Sequence, residues 1–172
     1  EQISSVPLAE RMIVKVDVID EVGNSATFEQ EVPLDILVVK RNGKLHLMVP
    51  NVIFGAYKYA LDSRGEAQYQ ANIDSIEKVI EIYNRYPRYR LLLEGHALNI
   101  YRGDEEKEAE EEEILVPLTE NRAKTVRHEL VERGMNEERI EVEWFGGTRP
   151  IVDVTDKTVR WKNRRVEFIM LD

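Results

Sequence analysis

The order of strand and helix patterns between residues 52 and 171 constrains the fold more than any other feature of this sequence. Three segments have strand patterns: Tyr89–Glu94, Arg139–Phe145 and Arg164–Leu171. The first contains an unbroken run of leucines, which is typical of a buried strand. The other two alternate apolar and polar residues, as half-buried strands do.

Two amphipathic patterns occur among these strands, one before the first strand and one between the first and the second. The first predicts a helix that ends before Pro87, and its apolar stripe consists of Ile73, Ile76, Val79, Ile80 and Tyr83. The second predicts a helix with Thr119 as its N-cap and Gly134 just beyond its last turn. With one more strand, which begins at Val52 before the first helix, the order is β-α-β-α-β-β. This order predicts an α+β fold: a mixed sheet with helices on one face.

The first fifty residues have β patterns. Residues 11–20 alternate apolar and polar side chains, and Ser25–Val32 could pair with them. Asn42-Gly43 lies between two β-rich runs and predicts a tight hairpin, because its turn requires positive φ. We therefore divide the chain into residues 1–49, an N-terminal β-hairpin extension that could include tail strands of a preceding β domain, and residues 50–172, the main domain.

Composition excludes several classes of protein. The chain of 172 residues has no cysteine, so disulfides and thiolate metal sites are excluded. Its net charge of −9 argues against nucleic acid as a partner. No apolar run approaches the roughly 20 residues of a transmembrane helix. No catalytic constellation is visible, and His46 and His128 do not suggest a metal site, so we expect neither an enzyme nor a cofactor or metal.

An acidic segment, residues 103–113, interrupts the pattern before the second helix. It contains eight acidic residues and one lysine. It could be a solvated loop or frayed helix, or it could attract a cation or an amine. It lacks the spacing of an EF-hand loop, so a specific calcium site is not expected.

Four short motifs occur in an order that resembles the OmpA-like C-terminal domain, a family that includes OmpA, Pal and MotB. They are Gly95-His96, Leu118-Thr119 with Arg122-Ala123, Gly146 with Pro150, and Asn163-Arg164-Arg165-Val166-Glu167. The resemblance implies a non-catalytic periplasmic module of the cell envelope, associated with the outer membrane, that binds peptidoglycan.

The resemblance also implies which residues bind the ligand. In the family, an aspartate pairs with the ammonium of the stem-peptide diamino acid, and an arginine meets its carboxylate as a planar fork. The arginine corresponds to Arg122, which could instead be structural. His96 and Arg165 are further candidate peptidoglycan-binding residues, although His96 could simply be a turn residue. Strand alternation directs only one of Arg164 and Arg165 towards the site.

The rest of the family's site is missing here. Leu98 stands in place of the aspartate, Ala97 in place of a threonine and Leu115 in place of an asparagine. A buried ammonium without its carboxylate would cost about 1–3 kcal/mol. An acid of the insertion, such as Asp104 or a glutamate, could fold back, take over that role and leave weak or altered peptidoglycan binding. Alternatively, the scaffold no longer binds peptidoglycan and serves as a structural or interaction module for an envelope protein.

Overall fold

The structure is a computed structural model that describes residues 10–34, 38–41, 43–100 and 108–171. Its strands are β1 (Glu10–Ile19), β2 (Ser25–Leu34), β3 (Val38–Arg41), β4 (Lys44–Leu47), β5 (Val52–Ile53), β6 (Arg90–Gly95), β7 (Ile140–Trp144) and β8 (Arg165–Leu171). Its α-helices are α1 (Glu66–Arg85), α2 (Glu108–Glu110) and α3 (Val116–Glu132). A π-helical segment, Glu111–Leu115, joins α2 to α3, and 3-10 turns cover Glu137–Arg139 and Arg160–Asn163.

The main sheet is mixed and contains six strands. Its order is β3-β4-β8-β6-β7, and β5 also pairs with β8. The central strand β6 is parallel to β7 and antiparallel to β8. From β5 onward the order is β-α-β-α-β-β, so the predicted α+β architecture is confirmed.

One face of this sheet forms the hydrophobic core with α1 and α3. Successive strand residues point to opposite faces, so Leu91 and Leu93 of β6 point into the core, whereas Leu92 and Glu94 point away from it. The core side chains from the helices include Ile76, Val79, Ile82, Ala123, Val126 and Leu130. The predicted placement of the helices on one face is therefore confirmed.

A buried asparagine connects α1 to β5. The Asn72 side-chain nitrogen donates to the carbonyls of Ile53 and Leu61, both at 2.9 Å. Its oxygen accepts from the Ile53 N–H at 2.9 Å and from Gln68 at 3.1 Å. Since buried backbone groups must be paired, Asn72 fixes how a strand of only two residues sits against the helix.

The second major helix begins earlier than its sequence pattern predicts. Thr119 lies inside α3 and is not its N-cap, because helical structure already runs from Glu111 through the π-helical segment into Val116. The Thr119 hydroxyl donates to the Val116 carbonyl and accepts from the Gly146 N–H. The residue that resembles a cap therefore ties the helix to the loop after β7.

The end of α3 agrees with prediction. Gly134 has a φ of +92°. Its N–H donates to the Val131 carbonyl, and the Met135 N–H donates to the Leu130 carbonyl. This pair of bonds is a Schellman motif, in which glycine takes the left-handed position with little strain.

The N-terminal strands belong to two sheets. β1 and β2 pair only with each other, as predicted for residues 11–20 and 25–32. β3 and β4 form the predicted hairpin, with Arg41 opposite Lys44, and β4 joins β8 of the main sheet. Asn42 lies outside the described residues. The division of the chain at residue 49 stays a prediction.

Candidate functional site

A pocket lies where β6 ends, between the loop after β5 and the start of α3. Its volume is about 160 Å³. One wall is apolar and the other carries three arginines. The lining residues are Ala56, Tyr57, Ala97, Leu98, Ile100, Leu115, Leu118, Arg122, Arg160 and Arg164. Among the described residues that line this arginine pocket, none is acidic.

Glycine at position 95 allows α3 to approach the end of β6. A Cβ atom there would lie 2.2 Å from the Thr119 carbonyl oxygen, which is far inside van der Waals contact. The glycine of the first family motif therefore brings the end of the strand and Arg122, one helical turn after Thr119, to the same place.

Arg122 is fully buried and holds the walls of the pocket together. Its Nε donates to the Lys58 carbonyl, Nη1 to the His96 carbonyl and Nη2 to the Gly55 carbonyl, each at 2.9 Å. Burial, followed by repulsion from Arg164, lowers the pKa of Arg122 to about 9. A guanidinium has five N–H groups, and within the described residues two of them make no hydrogen bond. Arg122 is thus both a structural residue and part of the pocket lining.

The two arginines of the last motif lie on opposite sides. Arg164 lines the pocket and donates from Nε to the Phe54 carbonyl at 3.2 Å. Burial, followed by repulsion from Arg64 and Arg160, lowers its pKa. Arg165 instead points away from the helices, where its Nε and Nη2 contact Glu167. The structure therefore brings Arg164 to Arg122 and separates both from Arg165.

The backbone and the side chain of His96 lie on opposite sides of the sheet. Its carbonyl accepts the hydrogen bond from Arg122, but its imidazole lies with Glu94, Arg165 and Glu167 in a different groove. His96 thus contributes backbone, and no side chain, to the arginine pocket. Ala97, Leu98 and Leu115, which we predict to occupy positions where the family has polar groups, all line the pocket and are apolar.

The end of the acidic segment folds back against this region. Glu111 accepts from the Asn99 side chain at 2.7 Å and from the Gly147 N–H at 2.5 Å. The hydroxyl of Tyr57, a residue that lines the pocket, donates to Glu110 at 2.6 Å. A carboxylate of the insertion therefore sits beside the rim of the pocket. Asp104, the acid that the sequence suggested, lies outside the described residues.

Sequence reasoning missed Arg160 and Glu110. Arg160 lies in the 3-10 turn before β8, and no motif marks it. Glu110 is one of eight acids in a run, so its position in the sequence does not distinguish it from its neighbours. Both residues are recognised only by their positions in the folded structure.

Comparison with known proteins identifies the family. A model of the OmpA family matches residues 54–164, which is well over half of the chain. The chain belongs to the OmpA family, as its four motifs predicted. No curated protein matches it.

Solved structures have the same fold at low sequence identity. The peptidoglycan-associated lipoprotein of Burkholderia pseudomallei is 22% identical, with a TM-score of 0.53 over 71% of this chain and 90% of that one. The periplasmic domain of Helicobacter pylori MotB (residues 90–256) is 21% identical, with a TM-score of 0.56 over 77% and 76%. The OmpA-like domain of Francisella tularensis FopA1 is 18% identical, with a TM-score of 0.55 over the same shares.

Among the described residues, no helix combines the length and the apolar character needed to cross a membrane.

Proposed function

We propose that this chain is a non-catalytic periplasmic module, associated with the outer membrane, that binds the stem peptide of peptidoglycan through the arginine pocket in an altered way. The observation that carries the proposal is the group of Arg122, Arg160 and Arg164 around a small cavity. Positive charges that repel one another in a partly dry site favour an anionic ligand. A carboxylate fits the fork of a guanidinium.

The two arginines nearest the cavity have different roles in this proposal. Arg122 already supports three carbonyls and offers its two remaining N–H groups. Within the described part of the chain, the terminal nitrogens of Arg164 donate no hydrogen bond, so they are the better carboxylate ligands. Replacing Arg164 removes ligand contacts and leaves the three-carbonyl anchor of Arg122 intact.

The ammonium of the ligand needs a new partner, because Leu98 replaces the family's aspartate. The hydrogen bond from Tyr57, which lines the pocket, to Glu110 supports Glu110 as this partner. In this proposal Glu110 pairs with the ammonium from the side of the insertion. The exposed position of this pair makes binding weaker than with a buried aspartate.

Co-sedimentation with insoluble peptidoglycan tests the proposal. We expect the wild-type protein to pellet, and Arg164→Gln and Glu110→Gln each to bind less. A loss of 1–3 kcal/mol per contact corresponds to a factor of roughly 5 to 150 in affinity. Arg88→Gln and Glu112→Gln are matched controls, since both residues are exposed outside the pocket lining. If the Arg164 and Glu110 variants pellet like their controls, the assigned site is wrong.

The apolar lining favours a second candidate function, which is docking of an envelope protein by a pocket that no longer binds peptidoglycan. One wall of the pocket is apolar, and Ile100 at its edge is 41% exposed. This wall consists of Ala97, Leu98, Leu115 and Leu118. A Leu98→Asp variant discriminates between the two candidates. If only this variant pellets, the scaffold is intact and Leu98 is the residue that prevents peptidoglycan binding. If neither protein pellets, the pocket has a different partner.

A further inference from the structure

A second polar cluster lies on the sheet face that points away from α1 and α3. Strand alternation places Glu94 and Glu167 on this face, and the pairing of His96 with Arg165 continues the ladder beyond the end of β6. β4 adds His46, opposite Ile169 of β8. These side chains line a groove of about 550 Å³ that is distinct from the arginine pocket.

The imidazole of His96 is unusual because it is buried and, among the described residues, its ring nitrogens have no hydrogen-bond partner. Its ring stacks on Phe145 at a centroid distance of 5.6 Å, which fixes its orientation. In its neutral form an imidazole has one nitrogen with a free lone pair, which is the form that binds a metal ion.

The two carboxylates are arranged alike. One oxygen of Glu94 accepts from Lys44, and one oxygen of Glu167 accepts from Arg165. The second oxygen of Glu94 lies 3.7 Å from His96 Nε2, and the second oxygen of Glu167 lies 3.4 Å from His46 Nδ1. Each carboxylate thus has one oxygen held by a cation and its other oxygen turned towards a histidine. The second oxygen of Glu94 also lies 3.7 Å from Arg149 Nη1, so an ion bound there would compete with Arg149.

We propose that Glu94, His96 and Glu167, with His46 as a fourth ligand, form a binding site for a divalent transition-metal ion of the zinc class. The donor atoms of the first three all lie within 4.8 Å of one another. Around a tetrahedral ion with bonds of about 2.0–2.2 Å, neighbouring donor atoms are about 3.3–3.6 Å apart. The two histidine–carboxylate separations are long for hydrogen bonds but close to this spacing.

The chemistry of the donors selects the ion. Two imidazoles with two carboxylates suit zinc and its neighbours, whereas calcium and magnesium prefer oxygen ligands alone. Lys44 and Arg165 act as the outer shell, because they hold the non-ligating oxygens and fix the carboxylate orientations. Arg149 Nη1 also lies 3.7 Å from Glu94, and Arg41 lines the same groove, so with neutral histidines the cations around the site outnumber its carboxylates and only a moderate affinity is expected.

Metal titration of the untagged protein tests this site. The protein is treated with EDTA, desalted and titrated with ZnCl₂ by calorimetry, and Co²⁺ serves as a spectroscopic probe. We expect one Zn²⁺ per chain, and a visible absorption band with Co²⁺ that reports four-coordinate geometry. Absence of Zn²⁺ binding in the micromolar range would overturn the proposal.

Histidine variants locate the ion. His46→Gln and His96→Gln should each weaken Zn²⁺ binding by at least about tenfold, the loss caused by removing even an outer-shell partner. His128→Gln should not change it, because His128 is exposed on α3. If burial prevents His96→Gln from folding, His46→Gln carries the test, since its side chain is 17% exposed. Binding that survives in His46→Gln would place the ion elsewhere, for example on the acidic segment, and would overturn the assignment.

Metal binding here is independent of the proposed peptidoglycan binding. The two sites share only the backbone of His96, and each experiment has its own readout. Failure of one therefore leaves the other standing.

Discussion

The substitution Glu167→Gln probes the buried ionic cluster directly. Glu167 is 14% exposed at its side chain, and its Oε1 accepts from Arg165 at 2.5 Å. Burial by itself raises the pKa of Glu167, but His46, Arg165 and His96 together outweigh it and lower the pKa from 4.5 to about 2. Since one pKa unit corresponds to 1.36 kcal/mol, this shift represents about 3 kcal/mol of stability at neutral pH.

The sign of the pH dependence follows from the lowered pKa. The folded state holds the carboxylate more strongly in its charged form than the unfolded state does. The stabilisation is therefore complete above the unfolded value of 4.5 and disappears as the pH falls towards about 2. Glutamine does not titrate, so the stability difference between wild type and variant should shrink over this range, to less than half its neutral value by about pH 3.

Urea denaturation followed by circular dichroism at pH 7 and pH 3 measures this difference. EDTA is present throughout, so that no bound metal contributes. Glu77→Gln is the matched control, because Glu77 is exposed on α1 and should show almost no difference at either pH. A loss below about 1 kcal/mol at pH 7, or an equal loss at both pH values, would refute the assignment of Glu167 as a stabilising buried carboxylate.

The remaining predictions concern backbone geometry and buried hydrogen bonds. Gly95→Ala should destabilise the protein by about 3 kcal/mol or more, because the new Cβ would overlap the Thr119 carbonyl oxygen. Gly134→Ala should cost only about 1–2 kcal/mol, because its Cβ meets open space and the cost comes from the positive φ alone. Equal losses of stability in thermal unfolding would contradict the close approach of β6 and α3. Asn72→Ala should cost about 3 kcal/mol, because it leaves buried groups of Ile53 unpaired, and it should speed amide exchange at Ile53. Unchanged exchange would show that Asn72 does not hold β5.

Local patterns of sequence predicted most of the fold. The apolar stripe of α1 and the alternation in β7 and β8 follow the periods of a helix and a strand, so both element type and approximate bounds could be predicted. Gly134 was recognisable because its role depends only on local backbone geometry. The family motifs added the family and the candidate binding residues.

The error at Thr119 has a physical cause. A threonine before an apolar stripe resembles an N-cap, but the preceding acidic residues continue the helix, with Glu111 held by Asn99 and the Gly147 N–H. These contacts are distant in the chain. Local propensity is a weak prior, and tertiary contacts override it here.

The arginine pocket and the histidine–carboxylate cluster show even more clearly that local sequence does not predict tertiary contacts. The sequence marked Arg122, Leu98 and Leu115, because the family motif specifies their positions. It could not choose between Arg164 and Arg165, since strand alternation separates them but does not say which one faces the pocket. Nor could it relate His46 to His96, because only the pairing of β4 and β6 with β8 brings them to one groove.

The sequence by itself determined the elements, their order and the family, because these depend on local periodicity and on residue identity at motif positions. Only the tertiary structure decided which arginine reaches the pocket, which glutamate stands at its rim and how two histidines meet two carboxylates. Those arrangements depend on strand register and on a helix packed within van der Waals contact of Gly95, and neither is encoded in any one segment.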